Sequence, residues 1–519
     1  MDTKALRQKI LDLAIRGKLV PQDPNDEPAE VLLERIREQK QQMFKEGKLK
    51  KKDIKNDTII FKGEDNLHYE KFADGTVKCM EDEIPFEVPE GWAWCKLNDI
   101  YNFIDYRGAT PTKITNGIPL VTAKNVKSGY IDYTIDDYIS EEEFKERQQR
   151  GISKKGDILF TTEAPLGNAA LADMEKFSAG QRLITFQQYG SKNELINYVM
   201  LMFILSDFFQ QQLYVNKTGS TVAGIKAAIL KTLWIPVPPY NEQLRISNTL
   251  KSAINLIDSI SKNKEILSTS ISNTKSKILD LAIRGKIVPQ DPNDEPASVL
   301  LERIRAEKEE LIKQGKIKRD KKESVIFKGD DNSYYEKIGN KVNCIDEEIP
   351  FELPEGWAFI RLKIAWELIS GRDLSPSEYN DKNDGIPYIT GASNFRNGHI
   401  SLVRWTTVPQ VITRRGDLLL TCKGTIGEIA HNNFGEAHIA RQIMAIRNIY
   451  SLNVDFLALC IEYSMTKIKQ AAKGLIPGIS REDILNLVIP IPPIKEQENI
   501  CNKLKVTFSA IEHIEKSLN

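Results

Sequence analysis

Residues that could carry chemistry are present in this chain, but their spacing does not suit catalysis. Gly-Lys pairs stand at 17, 47, 285 and 315. None has the earlier glycine that a phosphate-cradling GxxxxGK[ST] loop requires. Val237-Pro-Pro-Tyr240 resembles the Asn-Pro-Pro-Tyr loop of adenine methyltransferases, but valine replaces the amide or acid acceptor, and Ile491-Pro-Pro-Ile494 has lost the aromatic ring as well. Both suit a rigid strand exit instead. Asp23 with Glu38-Gln-Lys40 is only loosely like a nuclease metal triad, because the acids fall in a polar turn. The five histidines (68, 399, 431, 438, 513) show no ligand spacing, so no metal site is expected.

What remains is a set of polar residues next to turns. The first half of the chain offers Arg107, Thr110, Thr112, Lys113, Lys124, Asn125, Lys127, Thr161, Thr162, Gln181 and Arg182. The second half offers Arg372, Ser375, Asn394, Arg396, Lys423, Thr425, Arg441, Gln442 and Arg481 at comparable places with changed identities. Arg, Lys, Asn and Gln can read base edges, often bidentately, while hydroxyls and loop N–H groups suit phosphates. Equivalent scaffolds with different polar tips are what two readers of two different sequences require. These residues are therefore the expected DNA contacts.

Such tips need a repeated scaffold, and the sequence contains one. Ile10–Lys40 returns as Ile278–Lys308 with 27 of 31 positions identical. EIPFEVPEGWA (Glu83–Ala93) returns from Glu348, and IPVPPYNEQ (Ile235–Gln243) returns as IPIPPIKEQ from Ile489. A period near 260 residues means two copies of one large unit. Between these matches little aligns beyond Gly117-Ile-Pro with Gly385-Ile-Pro, and Gly156-Asp-Ile-Leu with Gly416-Asp-Leu-Leu. Near-identical connectors thus alternate with dissimilar globular segments. The expected divisions are 1–55, an N-terminal helical connector; 85–240, a first recognition domain; 241–320, a central connector; 350–493, a second recognition domain; and 494–519, a C-terminal connector helix.

Heptad spacing marks the connectors as helical. One central seam holds Leu250, Ile257 and, past Lys264, Ile271 and Ile278; the other includes Ala253, Ile260, Leu267 and Leu281. The C-terminus repeats the first part with Ile500, Leu504, Ile511, Ile514 and Leu518, and the N-terminus repeats the last with Leu6, Ile10 and Leu13. By the repeat offsets Asn519 corresponds to position 265 and Met1 to position 269, so the two ends tile the central helix with a three-residue gap. This predicts a pseudo-two-fold internal repeat in which the central helix, 241–284, lies antiparallel to an arm made from both termini. That helix would be roughly 65 Å long at 1.5 Å per residue. The globular segments carry short β-branched runs (118–121, 158–162, 183–186; 386–390, 418–421, 443–446) followed by helical stretches (194–213; 451–473). The expected fold class is α+β: two α/β recognition domains separated by a long antiparallel coiled coil.

Composition narrows the classes further. Lys+Arg and Asp+Glu both total 72, so a globally basic nucleic-acid binder is excluded but a locally basic one is not. No apolar run approaches the length of a membrane span, so no membrane partner is expected. Six dispersed cysteines without a CxxC pair read as free thiols in a reducing cytoplasm.

The repeated Leu11-Asp-Leu-Ala-Ile-Arg-Gly-Lys-Leu-Val-Pro-Gln-Asp-Pro, Gly-Asp-(Ile/Leu)-Leu at 156 and 416, and the IPxPPxxEQ strand exits at 235 and 489 together carry a resemblance. Over essentially its whole length the chain resembles the specificity subunit of type I restriction–modification enzymes. The resemblance implies a non-catalytic, cytoplasmic subunit that binds a split double-stranded DNA target, one half-site per domain. It implies two adenine-methylating subunits and translocating restriction subunits as partners. S-adenosylmethionine, ATP and Mg²⁺ would then be held by those partners, with none in this chain. A methyltransferase or nuclease fused to its own reader, an adaptor of another phage-defence assembly, a methylation-only complex and a structural coiled-coil scaffold are the alternative classes.

Overall fold

The computed structural model describes all residues except 1, 55–56, 107–109, 135–136, 190–193, 220–222, 318–322, 397, 451, 472–477 and 519. The chain forms two compact units, Met1–Lys264 and Glu265–Asn519.

In the first unit, helices Thr3–Ile15 and Ala29–Lys45 precede a three-stranded antiparallel meander, Thr58–Lys62, His68–Phe72 and Val77–Cys79. The recognition segment is closed at its ends by the antiparallel pair Ala93–Lys96 and Trp234–Val237. Inside it a four-stranded antiparallel sheet runs Tyr101–Asp105, Leu183–Gln188, Ile158–Thr161, Ala169–Leu171. In a second sheet, Ile118–Val121 pairs in parallel with Ser178–Ala179 and antiparallel with Tyr138–Ile139. Strand Ile158–Thr161 is buried along its whole length, which explains its continuous apolar run. Helices Asn197–Ile204 and Asp207–Val215 cover the core. The apolar stretch 194–213, expected as one helix, is divided because the Ser206 hydroxyl caps the second helix by accepting from the Phe209 N–H.

The second unit repeats this order. It has helix Ala297–Lys313, a meander of Ser324–Lys328, Tyr334–Ile338 and Lys341–Cys344, and the closing pair Ala358–Arg361 with Val488–Ile491. Its four-stranded sheet runs Trp366–Ser370, Ile443–Asn448, Leu418–Thr421, Ile429–His431. Ile386–Ile389 pairs in parallel with Ala437–Ile439, as its counterpart does in the first unit. Helix Val454–Ala471 follows, and helix Ile494–Leu518 ends the chain. Neither meander was anticipated from the sequence; both fall between the expected divisions.

Helix Tyr240–Ile283 matches the expected central helix within one residue at each end. Its seam is buried at Leu250 and Ile257 in the first unit and at Ile271 in the second, where Leu504 is buried in the core. Ile260, Ile278 and Ile511 are half-buried. Leu267 departs from expectation: it is 40% exposed, as are Ile266 and Leu256 at 54% and 63%, so the apolar seam is thin in mid-helix. Helix Thr3–Ile15 likewise buries Leu11, Ala14 and Ile15 against the recognition segment, leaving Leu6, Ile10 and Leu13 partly covered. The N-terminal connector is thus built into the first unit's core.

The three repeated motifs meet at one point in each unit. Gly17, at φ +65°, ends its helix in the left-handed conformation, and a Cβ there would lie 2.3 Å from Pro89 Cγ. Gln22 Nε2 donates to Gly17 O at 2.6 Å and to Glu242 Oε1 at 3.1 Å, while Trp92 Nε1 donates to Glu242 Oε2 at 2.9 Å. The second unit repeats the arrangement: Gln290 to Gly285 O at 2.7 Å and to Glu496 at 3.4 Å, and Trp357 Nε1 to Glu496 Oε2 at 2.9 Å. Burial raises both glutamates above the usual carboxylate range. Each clasp joins a helix exit, the entry to a recognition domain and the start of the helix that follows that domain. Its geometry leaves little freedom to any of the three motifs, which accounts for their near-identity.

Candidate nucleic-acid interface

Parallel pairing of Ile118–Val121 with Ser178–Ala179 sends both chains out at the same sheet end. Thr122–Lys127 and Gly180–Arg182 therefore emerge side by side, and Gly180 N donates to Val121 O at 2.7 Å. The loop after Ile158–Thr161 joins them, because Thr162 N donates to Arg182 O at 3.1 Å. Thr110 Oγ1 donates to Gln181 Oε1 at 2.6 Å. The result is a cleft of about 280 Å³, lined in part by Thr110, Lys113, Lys124, Gln181 and Arg182. Three separate loops of sequence-predicted residues thus converge on one surface of the first unit.

The residues divide by burial. Lys124 is exposed and forms no ion pair with another described residue. Lys113 pairs with Asp137 at 2.7 Å, Lys127 with Asp132 at 3.8 Å and Arg182 with Glu163 at 3.1 Å. The backbone N–H of Thr112 donates to Glu143. These cations, Lys113 and Arg182 exposed and Lys127 half-buried, are held in place by neighbouring carboxylates, at a net value of only ~0–1 kcal/mol each, so a phosphate can displace the acid. Three expected contacts are corrected. Asn125 is 2% exposed, Thr161 0% and Thr162 2%. Asn125 Oδ1 accepts from the Thr122 N–H and hydroxyl at 2.9 and 2.8 Å, and its Nδ2 donates to Asp132 O at 2.8 Å. Thr161 Oγ1 bonds Asn168 across the turn, and Thr162 Oγ1 donates to Arg182 O. They shape the loops instead of reaching outward. Arg107 lies outside the described residues.

The second unit assembles comparable loops. Arg372, Ser375, Arg396, Lys423, Thr425, Arg441, Gln442 and Arg481 are all exposed. Arg441 pairs with Asp373 at 2.7 Å, Arg481 donates to Ser370 Oγ at 3.3 Å, and the Ser375 N–H donates to Glu378 at 2.6 Å. Arg372, Arg396 and Lys423 form no ion pair with another described residue. Asn394 is corrected in the same way as Asn125: at 1% exposure it accepts from the Thr390 N–H and hydroxyl, both at 3.0 Å, and donates to Ser401 O at 2.8 Å. One buried asparagine thus holds the same loop in both units.

The sequence did not reveal the positioning residues behind these loops. His438, fully buried, has Nε2 2.8 Å from Arg372 O, while Nδ1 accepts from the N–H groups of Gln410 and Val411. Nε2 therefore carries the proton and donates, and burial holds the imidazole below its ordinary value. The matching position in the first unit is Ser178, whose hydroxyl accepts from Arg147 Nε at 3.0 Å while Arg147 also donates to Ala179 O at 2.7 Å. Different chemistry at one position leaves no shared motif to detect. Tyr130, 61% exposed in the loop bearing Lys124 and Lys127, was also missed, since a single exposed tyrosine carries no pattern. His68, Glu81 and Glu87 lie close together, but His68 and Glu81 act as a turn cap. The second unit makes the same cap from the Tyr334 N–H and Asp346.

Comparison with known proteins gives consistent results. The family described as type I restriction modification DNA specificity domain matches residues 89–268 and 354–519. The type I restriction enzyme EcoAI specificity subunit of Escherichia coli is 27% identical over 97% of this chain and 90% of its own length. The EcoEI specificity subunit of Escherichia coli is 27% identical over 99% and 90%. A solved chain from work on complex assembly and conformational transition of the type I R-M system shares the fold, with TM-score 0.55 at 19% identity over 84% of this chain and 94% of that one.

Proposed function

We propose, from the premise that this chain belongs to the type I restriction–modification DNA specificity family, that each unit reads one half of a bipartite double-stranded DNA target. The observation that carries this reading is the loop cluster of each unit. Equivalent strands and an equivalent buried asparagine present different tips, Lys124, half-buried Gln181 and Arg182 in one unit and Arg396, Arg441 and Gln442 in the other. Lys and Arg supply phosphate attraction, while Gln and Arg offer donor pairs to base edges.

In this reading the chain itself is non-catalytic and acts in the cytoplasm. Two methylating subunits and the restriction subunits would supply the chemistry, with S-adenosylmethionine, ATP and Mg²⁺ bound on those partners. The long helix and the terminal helices would form an antiparallel coiled coil with pseudo-two-fold symmetry. Ion pairs within each unit support this. In the first, Arg7 meets Asp258 while Asp26 meets Arg245. In the second, Lys275 meets Glu515 at 2.7 Å while Asp294 meets Lys495 at 3.8 Å. In each case residue numbers rise on one strand as they fall on the other.

The decisive experiment exchanges residues 95–234 for the corresponding segment of another family member and maps methylated adenines in a host that supplies a methylating subunit. One half of the target should change while the other stays fixed. Change in both halves would refute independent reading.

A further inference from the structure

We propose that the cleft between the recognition loops of the first unit takes the major-groove edge of a thymine, with the C5-methyl group on its apolar lining and O4 facing the Gln181 amide. The proposal rests on the function given above and assigns one base class to the half-site that this unit reads.

The cleft has two kinds of lining. Besides its polar rim, Pro111, Leu120, Ala123 and Ala164 give it apolar surface. Leu120 and Ala123 are buried, at 3% and 6% exposure. Register and hydrogen bonding identify the equivalent place in the second unit. Leu120 pairs with Ser178 as Tyr388 pairs with His438. Gly180 N donates to Val121 O at 2.7 Å, as Ala440 N does to Ile389 O at 2.9 Å. There the larger Tyr388 packs with Leu374, Ala440 and Tyr379, and its hydroxyl accepts from the Leu374 N–H at 3.3 Å. A tyrosine and an alanine thus stand where the first unit has a leucine and a glycine. The same scaffold holds an apolar cleft in one reader and a packed aromatic cluster in the other, as two different base specificities require.

The rim selects the occupant. Lys113 and Lys124 stand beside the apolar lining and attract phosphates, so the cleft faces DNA. The apolar group that an unmodified base edge offers in the major groove is the C5-methyl of thymine, next to the acceptor O4. The polar groups match that neighbour. Thr110 Oγ1 donates to Gln181 Oε1 at 2.6 Å, so the amide oxygen is engaged and Nε2 is left to meet a base. Adenine needs an acceptor for its N6 amino group, and a glutamine held this way serves it poorly. Guanine offers acceptors but no methyl group. 5-Methylcytosine offers the methyl group but sets an amino donor against Gln181 Nε2 and the Arg182 guanidinium. Thymine satisfies both the apolar lining and the donors.

The test uses the full chain in complex with its methylating subunit, and duplexes carrying its target, the first unit's half-site being identified by the segment exchange above. Each thymine of that half-site is replaced in turn by uracil, which removes only the methyl group. It is also replaced by 5-methylcytosine opposite guanine, which keeps the methyl group and turns O4 into an amino group. At one thymine, uracil should weaken binding about fourfold, the transfer value of one buried methyl group. At the same position 5-methylcytosine should weaken it about tenfold or more. Thr110→Val, at an exposed residue, should keep the uracil effect there but cut the 5-methylcytosine penalty to about threefold, because the freed amide can turn its oxygen outward. An unchanged penalty in that variant would overturn the assigned amide orientation. Uracil tolerated at every thymine of the half-site would overturn the cleft's role while leaving the proposed function standing. 5-Methylcytosine bound as tightly as thymine would overturn the choice of thymine. A segment exchange that alters both halves of the target would overturn the function on which the proposal rests.

Discussion

Asn125 and Lys124 are sequence neighbours with opposite predicted roles, so substituting each separately tests the division between scaffold and reader. Asn125→Ala removes three hydrogen bonds of 2.8–2.9 Å from a side chain 2% exposed, and leaves the Thr122 N–H and the Asp132 carbonyl without their partner. Each orphaned group costs about 1–3 kcal/mol when buried, and partial access to water at this loop places the sum at about 2–4 kcal/mol. At roughly 2–4 °C per kcal/mol for a domain of this size, the first unit's melting midpoint should fall by about 4–16 °C. Lys124→Ala should change stability by no more than about 0.5 kcal/mol, because its side chain is exposed and forms no ion pair with another described residue. It should instead weaken DNA binding at all sequences alike and lower the slope of log K against log salt by about 0.9. Calorimetric melting and a salt titration of DNA affinity read the two effects independently. An Asn125→Ala chain with an unshifted midpoint but altered target preference would show that the asparagine reads bases, and the assignment by burial would fail.

Trp92→Phe should cost about 1–3 kcal/mol by leaving the buried Glu242 without its indole donor, and Trp357→Phe should do the same at Glu496; chemical denaturation of each checks this. His438 is held below 6.5 by burial, so the unfolded chain takes up a proton that the folded chain resists. Its contribution is therefore intact above that pH and declines below it, loosening the Arg372 loop; affinity for the second unit's half-site should fall on acidification more steeply than for the first, and equal slopes would exclude the effect. A single residue inserted between Lys264 and Glu265 would rotate everything downstream by about 100° and shift it by about 1.5 Å. Methylation of the bipartite target should be lost at every spacer length, and unchanged methylation would refute a fixed helical phase between the half-sites.

Much of the architecture was legible because it depended on periodicity and punctuation. The helices Ala29–Lys45, Ala297–Lys313 and Tyr240–Ile283 follow from apolar spacing ended by Gly and Pro, and strands Ile118–Val121 and Leu418–Thr421 from short apolar runs between turn residues. The meanders were not legible. Their outer rows mix Phe, Tyr, Lys and Cys, which blurs the alternation by which a half-buried strand is recognised. At the site, loop position was legible but side-chain direction was not. Asn125 and Lys124 look equally suited to DNA in the sequence, yet one points into its own turn and the other into solvent. Residue type gives hydrogen-bonding capacity; only tertiary packing decides which partner uses it.

The comparison of Ser178 with His438 explains how two readers diverge on one scaffold. Both sit on the strand that pairs in parallel with the first loop's strand, directly beneath exposed recognition residues. In the first unit an arginine reaches across to bond the Ser178 hydroxyl and the Ala179 carbonyl. In the second an uncharged imidazole spans from Arg372 O to the Gln410 and Val411 amides. Neither solution can be exchanged alone: Ser178→His would compete with a buried guanidinium for space and hydrogen bonds, and His438→Ser would leave three backbone groups unbonded. New specificity therefore arises most readily when a whole recognition segment is replaced between two unchanging clasps. Substitution of single tips would preserve the fold but seldom the loop geometry that makes the tips useful.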